Sequence, residues 1–206
     1  EIAKRFGAPE DIVTNQGATS GIFANTTSAS TGNSGSISIG VFQKQGDNLV
    51  IDPSKFTKKV TLTDGAKVSV ASQGQGNGGN LIIRTDALTL SDRSQLLAET
   101  QVGNQEQTPS NITLKIKDLL RLDKESQISA QSLSNANGGN IDIDADSGFI
   151  VAFPSQPNGS DIIAKAQKGQ GGKINIFTKG LFGIQQRQAI PGNRTNDLDV
   201  SSESGL

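Results

Sequence analysis

The sequence predicts an all-β protein, a right-handed parallel β-helix built as a three-strand solenoid with roughly 30 residues per coil. Three observations carry that expectation. One phrase occurs three times, as "VTLTDGAKVSVAS" (60–72), "LTLSDRSQLLAET" (88–100) and "LRLDKESQISAQS" (120–132), at intervals of 28 and 32 residues. Apolar residues alternate with period two inside each copy. Gly, Asn, Asp and Ser recur between the apolar runs, where a chain needs tight turns.

The first strand of each coil reads "GSISIG" (35–40), "GNLIIRT" (79–85), "SNITLKI" (110–116), "GNIDIDA" (139–145) and "GKINIFT" (172–178). Alternation over so few residues describes strands with one face buried. The inward positions are Ile37/Ile39, Leu81/Ile83, Ile112/Leu114, Ile141/Ile143 and Ile174/Ile176. Asn80, Asn111 and Asn140 open three of these strands and Lys173 a fourth, at intervals of 31, 29 and 33. Second strands supply Val60/Leu62, Leu88/Leu90 and Leu120/Leu122, and third strands Val68/Val70, Leu96/Ala98 and Ile128/Ala130. Residues 20–35 read as a further third strand with its corner, and 196–205 as another, parallel to 160–169. Stacked ~4.8 Å apart, successive strands bring the inward side chains into aliphatic columns. In this register Asp86, Lys117, Asp146 and Lys179 fall in one outward column of alternating sign, a pattern that favours stacking.

The whole chain, 1–206, reads as a single β-helix segment. Loop insertions lengthen coils at about 43–58, 153–160 and 184–196, and the last two are expected to protrude side by side, either as tolerated surface loops or, if the chain recognises a partner, as the first candidate for that surface. Residues 1–19 do not fit the repeat and read as a loop excursion or a short helix ended before Pro9. Glu1 opens the chain without Met or a charged leader, which reads as a fragment of something longer.

Composition narrows the function. The formal net charge is −1, and no basic stripe is interleaved with aromatics, so nothing points to nucleic acid. No run approaches the ~20 apolar residues of a membrane helix, and no membrane insertion is expected. The chain has no Cys and no His, which rules out disulfides, triads and imidazole or thiolate metal sites.

The phrases "ASQGQGNGGNLIIRTDALTLSDRSQLLAET", "SLSNANGGNIDIDADSGFIVA" and "SGIFANTTSASTGNSGSISI" resemble the repeat region of filamentous-haemagglutinin-like exoproteins of the two-partner secretion type, particularly the cyanobacterial ones. The resemblance covers roughly 20–206 and rests on the Gly-Gly-Asn opening, the doubled apolar strand and the Ser-x-x-x-Ala third strand. It implies export through an outer-membrane transporter and an extracellular or bacterial cell-surface location. The implied role is a structural rod segment of an adhesin or surface fibre, with a surface glycan or protein as receptor. It carries over no catalytic or cofactor-binding residue.

Two other functions are open to a β-helix. One is a self-assembling surface-layer or sheath subunit, since exposed strand edges favour end-to-end or lateral association. The other is a carbohydrate-binding or carbohydrate-cleaving β-helix, where cleavage by hydrolysis needs two carboxylates across a cleft. The densest carboxylate set is Asp142, Asp144 and Asp146, which alternate along one strand and face solvent. They could ligate Ca²⁺ through oxygen, or form an ordinary polar face neutralised by Lys115 and Lys117. Phe23, Phe149, Phe153, Phe177 and Phe182 read as core or corner packing.

Overall fold

Period-two alternation becomes stacked strands throughout residues 20–204, the residues described by the computed structural model. The region 1–19, expected as a loop excursion or short helix, lies outside them. The third strands form one parallel sheet in the order β1 (Gly21–Phe23), β6 (Lys67–Ser69), β8 (Gln95–Leu97), β10 (Gln127–Ser129), β12 (Asp161–Ile163), β15 (Asp197–Asp199) and β14 (Gln185–Gln186). The second sheet runs β2 (Ile37–Ile39), β7 (Asn80–Leu90), β9 (Asn111–Leu122), β11 (Ile141–Ala152) and β13 (Ile174–Phe182), with β5 (Thr57–Leu62) also on β7. Strands pair with their counterparts one lap later, giving a parallel β-solenoid of about 4 turns.

The first and second strands of a coil were expected as separate pieces. Both positions are occupied, but in β7, β9, β11 and β13 they run on as one bent strand. The bend is an outward bulge. Pairing of β7 with β9 skips between Thr85 and Ala87, and pairing of β11 with β9 skips between Asp144 and Phe149. A bulge changes strand direction and shifts the in–out phase without ending the ladder, so Leu81, Ile83 and Thr85 point inward and then Leu88 and Leu90 do so. The bulge differs in size from lap to lap, which breaks up the expected column of Asp86, Lys117, Asp146 and Lys179. Asp86 instead pairs with Lys58 at 3.1 Å, and Lys115 with Asp144 at 2.7 Å.

Inside, the columns are continuous. Leu81, Ile112 and Ile141 stack in register, as do Ile83, Leu114 and Ile143, then Leu88 and Leu120, then Leu90 and Leu122. All ten are at most 1% exposed. Burial of one such side chain is worth about 1.5–3 kcal/mol, so each lap is held chiefly by contact with its two neighbours. Ile174 and Ile176 continue the first two columns but stay half-buried, because β13 is the last strand of its sheet.

The corner before each first strand is held by a polar ladder. The Asn111 carboxamide donates to Asn80 Oδ1 (3.3 Å) and accepts from the Asn140 backbone N–H (2.9 Å); Asn140 Oδ1 accepts from the Lys173 N–H (3.2 Å). These steps span 31, 29 and 33 residues, the intervals of the repeat itself. Three residues upstream a second ladder runs from Asn33 to the Asn77 N–H (2.8 Å), from Asn77 to the Thr108 N–H (3.0 Å) and from Asn137 to the Gln170 N–H (3.0 Å). The "NGGN" phrase is therefore two stacking asparagines around a close backbone approach. A Cβ on Gly139 would lie 1.8 Å from the Ser110 carbonyl oxygen of the lap below, so only glycine fits there.

The turns into β6, β8 and β10 each place two successive residues at positive φ: Asp64 and Gly65, Asp92 and Arg93, Lys124 and Glu125. These turns also stack, with Asp92 accepting from Thr63 Oγ1 (2.9 Å) and pairing with Lys124 (2.9 Å). The 43–58 insertion forms an antiparallel hairpin of β3 (Phe42–Gln45) and β4 (Asn48–Ile51), turned at Gly46 with φ 62. Its return is pinned by Arg84, which donates to the Lys55 carbonyl (2.9 Å) and lies 3.9 Å over the Phe56 ring.

The asparagine ladder makes a direct expectation. Asn111→Ala leaves the Asn140 N–H without its acceptor and is expected to destabilise the protein by about 1–3 kcal/mol in urea unfolding. Asn175→Ala, outward on β13, is expected to stay within about 0.5 kcal/mol.

Candidate functional site

The outer face of the third-strand sheet carries side chains in columns, since parallel in-register strands repeat each position at every lap. One column is Lys67, Gln95, Gln127 and Asp161. A second is Ser69, Leu97, Ser129 and Ile163. The Gln95 amide donates to Gln127 Oε1 at 3.2 Å, an outward counterpart of the corner ladder. Beyond the strand ends, Gln131 donates to the buried Glu99 carboxylate (2.9 Å), and Ser129 Oγ does the same (2.7 Å).

The 153–160 and 184–196 insertions close on this face. Asn158 Oδ1 accepts from the Gly192 N–H (2.7 Å), and Asn196 Oδ1 accepts from the Ser160 N–H (2.7 Å), so the two loops stand joined side by side. The second loop also doubles back as β14, whose Gln185 and Gln186 pair in parallel with Asp197 and Leu198 of β15. Asp197 is the anchor of this arrangement. Fully buried, it accepts from Arg187 Nε (2.8 Å), Asn193 Nδ2 (2.6 Å) and Thr195 Oγ1 (3.0 Å). Asp199 accepts from the Ala189 and Ser201 N–H groups at 3.1 and 2.9 Å. Both carboxylates are thus committed to holding the loop.

Between the loops and the sheet lies a cleft of about 440 Å³, lined by Gln95, Gln127 and Gln131 on the sheet side, Arg93 and Glu125 from the turns, and Asn158, Asp161 and Lys165. Ile163, Ala189, Ile190 and Pro191 give it an apolar end. Burial under the loop pushes the Asp161 carboxyl up to about 6, with the Asp197 and Asp199 charges adding to the rise and the Asp197 N–H and Arg187 opposing it. None of the cleft's polar residues was singled out from the sequence. The signal was present in "SQLL", "SQIS" and "SDII", three openings that put a polar side chain at the same outward position.

The Asp142, Asp144 and Asp146 set does not form one coordination sphere. Asp142 accepts from Asn175 (2.7 Å), while Asp144 is held by Lys115, whose ammonium lowers its pKa. Asp146 follows Ala145, the last residue paired with β13 before the bulge, and is exposed. Among the described residues no group of three or more acidic side chains is placed to hold a metal ion.

Of core or corner packing, the core reading of the aromatics is corrected. Phe23, Phe149, Phe153, Phe177 and Phe182 are 50, 44, 39, 66 and 54% exposed. Each occupies an outward position of the alternation, next to an inward Ile150, Ala152, Ile176 or Leu181 in the last four cases. Phe149 and Phe182 meet at 6.2 Å between centroids, and Phe153 lies 4.3 Å under the Arg121 guanidinium. No family model, curated protein or solved structure matches the chain.

Asp161 and Asp92 pull stability in opposite directions with pH. Raised to about 6, Asp161 keeps its proton in the folded state up to about that pH, so its contribution is full below the unfolded value of 3.8 and is lost as pH rises through about 6. Asp92, lowered to about 2 by bonds from Ser91, Lys124 and Thr63, contributes above 3.8 and loses that contribution as pH falls toward 2. The urea midpoint is therefore expected to rise between pH 7 and pH 5, and Asp161→Asn is expected to abolish the rise. An undiminished rise in that variant would assign the effect elsewhere.

Proposed function

We propose that this chain is a structural segment of a secreted or cell-surface filamentous protein, a stiff β-helical spacer that holds the paired 153–160 and 184–196 loops out from its side. The observation that carries this reading is the unbroken lap-to-lap bonding of both sheets, combined with a core of columns rather than layers. Such a stack grows in length without changing its cross-section, and its stability is close to a sum of neighbour terms. The absence of Cys suits export of an unfolded chain, and the resemblance to filamentous-haemagglutinin-like exoproteins agrees with export through an outer-membrane transporter.

One feature favours a second reading, assembly of copies end to end. Among the described residues, the outer edge of β13 pairs with no strand, and Leu181 on it is 37% exposed at an inward position. A further coil laid on that edge would complete both the backbone ladder and the aliphatic columns.

Antibodies raised against the folded chain separate these readings from an intracellular role. Labelling of intact, non-permeabilised source cells as extended fibres is expected for the spacer. Regular lateral order in the same micrographs would favour the assembling subunit, and signal found only after permeabilisation would overturn both.

A further inference from the structure

We propose that the cleft between the third-strand sheet and the paired 153–160 and 184–196 loops binds a neutral, linear glycan laid along the solenoid axis. The proposal deepens the spacer reading, on which it rests, by giving the presented loops a ligand class. Direction comes from the columns. Gln95, Gln127 and Asp161 stand on successive laps in one line along the axis, so two carboxamides and then a carboxyl group follow one another at steps of ~4.8 Å. That spacing is close to the length of one pyranose ring in a chain. An extended polymer of repeating units fits such a track better than a compact ligand does.

The lining selects hydroxyl groups. A sugar hydroxyl both donates and accepts, and carboxamides match it because each carries two donors and an acceptor. Among the described residues, Gln127 Nε2, Gln95 Oε1 and Gln131 Oε1 have no hydrogen-bond partner, although their opposite ends are tied by the ladder and by Glu99. The amides are therefore oriented and still have bonding capacity facing the cleft. Charge gives no preference for ions. Arg93 and Lys165 are balanced by Glu125 and Asp161, so neither a polyanion nor a polycation is favoured. Ile190, Pro191 and Ile163 at the loop end supply a surface for the C–H face of a ring, in place of an aromatic platform. The volume, about 440 Å³, lies within the range of small-ligand pockets, ~300–1,000 Å³.

The test is titration of the folded chain with short linear gluco-oligosaccharides, read by side-chain amide NMR, beside a polyuronate and an extended peptide of mixed sequence. Shifts are expected at the carboxamides of Gln95, Gln127 and Gln131. Gln127→Ala and Ile190→Ala are each expected to weaken binding by about tenfold. Gln127→Glu, which keeps the side chain's size and replaces a donor by an acceptor, is expected to weaken it similarly, so the result does not hang on one truncation. The proposal is overturned if the oligosaccharides produce no shifts at millimolar concentration. It is equally overturned if the variants bind unchanged, or if the polyuronate or peptide binds more tightly. Any of those results leaves surface labelling of the spacer untouched, and a purely intracellular location leaves the binding measurement untouched.

Discussion

Every other feature of this molecule depends on register between laps. A parallel strand that slips by one residue turns its aliphatic face outward and its polar face into the axis. The ladder of Asn80, Asn111 and Asn140 prevents this at the corner, where each carboxamide joins one lap to the next. The columns of Leu and Ile add the hydrophobic contribution, but they are nearly interchangeable, and burial alone would tolerate a slip of two. A carboxamide bonded to one particular backbone N–H does not. Hydrophobic stacking thus supplies most of the stability, and the polar ladders choose which stack forms.

A solenoid with register set at its corners can lengthen its turns cheaply. The hairpin of β3 and β4 and the two loops beside the third-strand sheet leave the columns beneath them intact. Each loop still needs anchoring, and here the chain places buried carboxylates. Asp197 gathers Arg187, Asn193 and Thr195, and Asp199 takes two backbone N–H groups. One consequence is electrostatic. Three carboxyl groups share a small region with one guanidinium, and the least committed of them, Asp161, carries the raised pKa. A second is topological, because β14 occupies the edge of β15 on which a following third strand would otherwise lie. β13 retains its open edge among the described residues, so the two sheets end differently.

Much of this was legible in the sequence because stacking repeats a requirement at a fixed interval. Spacings of 31, 29 and 33 between the ladder positions are visible in the text and are the same spans that the hydrogen bonds cross. Insertions could be found by subtraction from the repeat. Fusion of first and second strands was not legible, since the bulge at Asp86, Lys117 and Asp146 varies in size and looks like turn sequence. The exposed phenylalanines were legible and misread, a general preference for buried aromatics having outweighed the alternation that put Phe149 and Phe177 outside. The polar row of the cleft was present in the repeated openings at Gln95, Gln127 and Asp161, but not its walls, because the two loops that close over that row carry no repeat to place them.

The central claim, that successive laps lie directly over one another in a single register, can be measured by crosslinking in a chain that has no native Cys. Ile82 and Thr113 pair in register on neighbouring laps, and Asp142 follows on the next. Neighbouring Cα atoms at ~4.8 Å are within disulfide range and those two laps apart, at roughly twice that, are not. The protein carrying Ile82→Cys with Thr113→Cys is expected to oxidise to an intramolecular disulfide, and Ile82→Cys with Asp142→Cys is expected to stay reduced. A crosslink in the second pair, or none in the first, would contradict the stack.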